Sequence, residues 1–160
     1  MEMHNTKIDI AKGKREKLIG ILNQRLADAA DLRSQAKQAH WNVKGMNFIA
    51  LHELFDQVST ELDTHVDDIA ERITTLGGVA MGTVRLAAAN SSLSEYPHEI
   101  AVGADHVDAL SSALADLGKK VRKNIDETDD LGDADTADLF TAISRSVDKL
   151  LWFVEAHIQA

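Results

Sequence analysis

At 160 residues the chain can bury one sizeable core and is too short to require two domains. It has no cysteine, which excludes disulfides and thiolate metal sites, and no apolar run of the ~20 residues needed to cross a bilayer. A formal charge of −9 disfavours nucleic-acid binding by the body of the protein and suits cationic ligands, while one proline and 4% aromatics favour helix over strand.

The N-terminal stretch MEMHNTKIDIAKGKREK lacks the apolar run of a secretory signal, so a cytoplasmic location is expected. Residues 1–13 read as a mobile, mildly basic tail, and 14–160 as the folded domain. Apolar residues then recur at helical spacing. The first predicted helix carries Leu18, Leu22, Leu26, Ala29, Leu32, Ala36 and Val43. Lys44-Gly45-Met46-Asn47 makes a short turn, with Asn47 as N-cap, so the next helix is an antiparallel neighbour. That second helix carries Leu51, Leu54, Phe55, Val58, Leu62, Val66, Ile69, Ile73 and Leu76, and Gly77-Gly78 ends it with a left-handed cap.

A long connection follows, with a short helix around Thr83–Ala89. Pro97 suits the first turn of the third helix, where its missing N–H costs nothing. The third helix holds Val107, Leu110, Leu114, Leu117, Val121 and Ile125. The acidic stretch Asp126–Asp135, with Gly132, reads as the last break, and Asp133 or Asp135 as the cap of a fourth helix through Leu139, Ile143, Val147, Leu150, Val154 and Ile158. Two helical hairpins joined by one long crossover describe the all-α, ferritin-like four-helix bundle.

The second helix carries a polar stripe. On a wheel advancing ~100° per residue, His52, Asp56, Asp63, Asp67 and Glu71 fall on the side turned away from the apolar residues. His52/Asp56 and Asp67/Glu71 are i,i+4 pairs, each able to point two ligand atoms at one ion. Eleven residues separate Asp56 from Asp67, roughly 16 Å of helix, so one helix cannot close both pairs on one ion. The pairs are, however, mirror-spaced about a point between residues 61 and 62. Two copies of the helix packed antiparallel about that point would set His52 against Glu71 and Asp56 against Asp67, making two identical sites per dimer. Oxygen-rich ligation with one or two imidazoles suits iron or manganese, and zinc less exclusively.

Charges on an outer helix face are commonly just solvated, and the pattern alone leaves that reading open. His40, near the apolar stripe of the first helix, fits a hydrogen-bonded core residue, and its place close to the turn leading to His52 makes it a ligand candidate as well. His65 lies toward the apolar side and reads as structural. His4, His98, His106 and His157 lack ligand-like spacing.

Lys37-Gln38-Ala39-His40-Trp41-Asn42-Val43-Lys44-Gly45 and Phe48-Ile49-Ala50-Leu51-His52-Glu53 strongly resemble the Dps family of miniferritins. So do Asp56, Asp67-Asp68-Ile69-Ala70-Glu71-Arg72, Leu76-Gly77-Gly78-Val79-Ala80, Thr136-Ala137-Asp138-Leu139-Phe140-Thr141, Ser144-Arg145, Asp148-Lys149 and Leu151-Trp152-Phe153. The resemblance covers nearly everything after about residue 17. It implies a shell of twelve subunits with a ferroxidase centre between two chains, His40, His52 and Asp56 coming from one and Asp67 and Glu71 from the other. It further implies oxidation of ferrous iron, preferably by hydrogen peroxide, storage of ferric oxide in the cavity, and a negatively charged pore drawn from Asp126, Glu127, Asp129, Asp130, Asp133, Asp135 and Asp138. Solvated loop and cap carboxylates are the plainer reading of those acids. Trp41 and Trp152 match family tryptophans, for which core packing is expected beside a role in quenching radicals.

A larger ferritin would hold its irons inside one bundle on Glu-x-x-His pairs, and the only such spacing, Glu95 to His98, is broken by Pro97. His52-Glu53-Leu54-Phe55-Asp56 lacks the second histidine of a zinc protease. The remaining alternative is a nucleoid protein coating DNA through its tails. Residues 1–17 carry five basic and three acidic side chains, a net +2, and no basic extension is expected after the last helix. Twelve such tails would still attract phosphates at low salt.

Overall fold

In the computed structural model, residues 3–159 are described; Met1 and Glu2 of the expected tail, and Ala160 at the end of the expected domain, lie outside them. Five helices follow in order: α1 (Lys12–Asn42), α2 (Phe48–Thr75), α3 (Val84–Asn90), α4 (Gly103–Asp130) and α5 (Ala134–Glu155). The four long helices form the expected bundle, and α3 is the short helix of the crossover. No strand occurs among the described residues.

The apolar positions picked out by periodicity converge. Leu22, Leu26, Leu32, Phe55, Leu62, Ile73, Leu110, Leu114, Phe140, Val147 and Leu150 are all fully buried in one core. Burial of each such side chain contributes about 1.5–3 kcal/mol. α1 packs along α2 and α4 along α5, with α1 touching α3 and α4, and α2 touching α5.

The crossover travels the whole length of α1. At one end Arg15 donates to the Leu76 carbonyl (2.8 Å), and at the other the Lys44 N–H donates to the Ala101 carbonyl (2.9 Å). The connection therefore returns the chain to the end where α2 began, and α4 runs parallel to α2. Polar residues of α1 bind it rung by rung. Asn23 Nδ2 donates to the Val79 carbonyl, Gln24 to Asn90, and Gln35 to Ser94; Asp28 accepts from Ser92 N–H (2.7 Å) and Asp31 from the Ser91 hydroxyl (2.6 Å). Asp28 is 0% exposed and also meets Arg25 at 3.0 Å, so its buried charge is paired.

Two helix stops follow glycine chemistry. At Gly77 (φ 88°) the N–H donates to the Thr74 carbonyl and the Gly78 N–H to the Ile73 carbonyl, both 2.9 Å, a Schellman closure. Gly132 (φ 81°) repeats it at the end of α4, bonding Asp129, while Asp133 N–H reaches Thr128. A Cβ on Gly77 would lie 2.5 Å from the His4 carbonyl oxygen, in addition to the strained φ. Gly77→Ala is accordingly expected to cost about 1–3 kcal/mol, read as a lowered urea midpoint with unchanged slope.

Three expectations are corrected. The third long helix begins at Gly103, not at Pro97: the chain first pairs alongside Lys44, whose N–H donates to the Ala101 carbonyl and which bridges to the extended Val102. The acidic stretch is not a loop from residue 126, because α4 continues through Asp130 and breaks only at Leu131–Asp133, where Gly132 supplies the left-handed residue. Asn47 occupies the cap position of α2, but its side chain caps nothing. Asp133, by contrast, caps α5 by accepting from Thr136 N–H (3.3 Å). Residues 3–11 are irregular, and α1 starts at Lys12, two residues before the expected domain boundary. His4 N–H donates to the Gly77 carbonyl (2.8 Å).

Candidate metal centre

His40 stands on the last turn of α1 and His52 at the start of the second turn of α2, so the short turn between the helices folds one onto the other. Their rings stack with centroids 3.7 Å apart. Each Nδ1 faces the other residue's backbone carbonyl: His40 Nδ1–H donates to His52 O (2.7 Å) and His52 Nδ1–H to His40 O (2.8 Å). A carbonyl oxygen only accepts, so both Nδ1 atoms carry a proton, and Nε2 is the nitrogen left to bind a metal in the neutral ring. That is the tautomer a metal-binding imidazole needs, fixed by a neighbouring acceptor.

Asp56 lies one turn beyond His52, ion-paired to Lys37 of α1. The Lys37 bond holds its carboxyl below the ordinary range; slight burial opposes this, and the charges of Lys37, His40 and His52 reinforce it. The Lys37 contact was not anticipated, although Lys37 and His40 are i,i+3 neighbours facing the same helix. A cation binding here would displace or share that ammonium.

Asp67 and Glu71 are exposed farther along α2. Among the described residues of one chain, no three His, Asp or Glu side chains converge tightly enough to enclose an ion. One subunit thus brings together His40 and His52, places Asp56 beside them, and leaves Asp67 and Glu71 apart. A metal ion at the clasp would take its remaining ligands from outside this cluster.

The surroundings are apolar and uncovered. Trp41 is 67% exposed and Trp152 61%, which overturns the expectation that they pack in the core. Helical phase turns both outward, and Met46, Phe48 and Ile49 share the exposure around the α1–α2 turn. His65 is half-buried on α2, with neither ring nitrogen bonded among the described residues. Burial favours its neutral form, against the opposing charges of Asp68 and Glu61.

Of the acidic residues near the α4–α5 turn, Asp126, Asp129, Asp130, Asp135 and Asp138 are exposed. Glu127 is tied to Lys123 (3.1 Å) and Asn124 (2.7 Å). Asp133 is buried against Arg72, whose Nη2 donates to both carboxylate oxygens (2.7 and 2.9 Å). Asp133 therefore serves the fold rather than an open acidic surface.

The profile of the ferritin-like domain matches residues 19–160. A DNA protection during starvation protein from Agrobacterium fabrum is 48% identical over 159 residues, spanning 99% of this chain and 98% of that one. The chain belongs to the Dps family. Solved Dps structures agree in shape. Dps of Mycobacterium smegmatis superposes with a TM-score of 0.94 at 30% identity, covering 99% of this chain and 96% of that one. DpsA14 of Streptomyces coelicolor gives 0.93 at 33%, covering 100% and 96%. Within the Dps fold, the histidine clasp sits at the turn end of the α1–α2 hairpin. Among the described residues, no helix is long and apolar enough to cross a membrane.

Proposed function

We propose that this chain is a ferroxidase and iron-storage subunit, its metal centre completed across a twofold interface between chains. The histidine clasp carries the reading: two imidazoles with Nε2 lone pairs held ready, beside a carboxylate, on a face still lacking ligands. His40, His52 and Asp56 of one subunit would bind ferrous iron together with Asp67 and Glu71 of a second. The exposed apolar rim of Trp41, Phe48 and Ile49 supports burial of that end against another copy. Iron and hydrogen peroxide are the substrates in this reading. Carboxylates favour the harder ferric product, and two irons side by side let peroxide accept both electrons at once, which withholds hydroxyl radical.

Twelve such subunits would enclose a cavity for ferric oxide, fed through pores lined by exposed acids of the α4–α5 region, which concentrate cations by their field. Protection of DNA then follows from removing iron and peroxide in the cytoplasm, without any need to coat the double helix. The test is anaerobic ferrous titration followed by peroxide, with assembly checked by size-exclusion. His52→Ala and Asp67→Ala are each expected to slow oxidation by more than about tenfold while the assembly persists. Wild-type kinetics in both variants would sink the assignment.

A further inference from the structure

Away from the histidine clasp, α1 and α4 leave between them an open groove of about 770 Å3. Arg25 lines it, roughly 22 Å along the α1 axis from His40. The residue is 8% exposed, and its Nη1 lies 3.0 Å from the Asp28 carboxylate. That contact attracts by charge without the geometry of a hydrogen bond, and neither Nε nor Nη1 has a hydrogen-bond acceptor among the described residues. Asp28 instead accepts from the N–H and hydroxyl of Ser92. Asn124, on the α4 wall and 7% exposed, repeats the pattern: Nδ2 donates to Glu127 (2.7 Å), while Oδ1 accepts nothing among the described residues. Two buried polar side chains on one groove thus keep donors and an acceptor without partners. Folded chains rarely tolerate this, because a buried guanidinium lacking acceptors has lost its hydration uncompensated.

The same groove gathers cations in a chain of net charge −9. Of the ammonium groups lining it, Lys120 is engaged by Asp116 (2.7 Å) and Lys123 by Glu127 (3.1 Å). Lys17 is exposed and stands eight residues before Arg25, which puts both on one face of α1.

We infer that this groove binds a small phosphomonoester, its phosphate held by Arg25 and Lys17. The planar guanidinium fork matches pairs of phosphate oxygens, and the unpaired Nε is one arm of that fork. Asn124 Oδ1 accepts from a hydroxyl or amino group elsewhere on the ligand, and Ile21 and Leu131 give its apolar part a wall. The volume is that of a metabolite site and far exceeds the needs of a bare ion. Depth disfavours duplex DNA. A recessed guanidinium is out of reach of phosphates flanked by sugars on both sides, whereas a terminal phosphate enters end-on. The site is separate from the proposed iron centre and does not depend on it.

The test is calorimetric titration of the intact, iron-free protein with adenosine monophosphate, beside adenosine and inorganic phosphate, at low and high salt. Phosphorus magnetic resonance on the same samples reports binding independently of heat. One adenosine monophosphate per subunit is expected, bound more weakly as salt rises. Inorganic phosphate should compete less well, and adenosine not at all. Arg25→Lys, which keeps the charge and loses the fork, is expected to weaken binding by more than about tenfold. Lys17→Glu should weaken it severalfold, while Lys149→Glu on α5, outside the groove, changes nothing. Lys17 is exposed, so its variant keeps the test decisive should Arg25→Lys fail to assemble. Absence of binding to the wild type by both methods would overturn the inference. So would affinity unchanged in Lys17→Glu, or displacement of the nucleotide by duplex DNA, which would make the groove a nucleic-acid face.

Discussion

Subunits carrying His52→Ala and subunits carrying Asp67→Ala, each slowed by more than about tenfold alone, are expected to regain about a quarter of the wild-type ferrous oxidation rate when unfolded together and refolded as an equal mixture. In the proposed arrangement each dimer has two sites, each built from the His40/His52/Asp56 half of one chain and the Asp67/Glu71 half of the other. A hybrid dimer places both lesions in one site and leaves the other whole. Random pairing makes about half of the dimers hybrid, each with one working site of two, hence a quarter. A centre contained within one chain predicts no recovery at all, because every chain carries a lesion. The measurement is the initial rate after peroxide addition to the mixture, beside each variant refolded alone. The factor is large because single-chain geometry leaves Asp67 about 16 Å along α2 from Asp56.

Arg72→Ala is expected to destabilise the fold by about 3–5 kcal/mol, a large share of a typical domain's stability. Arg72 holds the buried Asp133 carboxylate with two hydrogen bonds and reaches the Thr136 hydroxyl through Nε at 2.9 Å. Asp133 also accepts from the Thr136 hydroxyl and from its N–H, so one guanidinium ties the end of α2 to the α4–α5 turn. Removal strands a charge that is 3% exposed. The pH dependence follows from the same contacts. Burial raises the Asp133 pKa, but Arg72 and the two Thr136 bonds together outweigh it, leaving the folded value below the ordinary 3.8. The stabilisation is therefore fully present above 3.8 and is lost as pH falls through the depressed folded value. In Arg72→Ala the main lowering influence is gone and burial counts for more, so acid unfolding should begin at higher pH. Urea unfolding at fixed subunit concentration, at neutral pH and in the ordinary aspartate range, reads both effects. An Arg72→Ala midpoint equal to wild type at both would show that the pair contributes nothing.

The long helices, the stop at Gly77 and the short crossover helix were all legible in the amino-acid sequence, because periodicity and left-handed caps act over a few residues, whereas the end of α4 was placed several residues too early. The stripe of His52, Asp56, Asp67 and Glu71 was legible for the same reason, since a helix turns fixed spacing into a shared face. Only the tertiary structure decided what those faces meet. It placed the start of α4 at Gly103, turned Trp41 and Trp152 outward, clasped His40 to His52, and joined Tyr96 to His106. Polar residues on α1, unremarkable by periodicity, proved to hold the crossover, and Arg72 found Asp133 sixty-one positions away. Such pairings depend on how distant segments pack, and no local propensity encodes them.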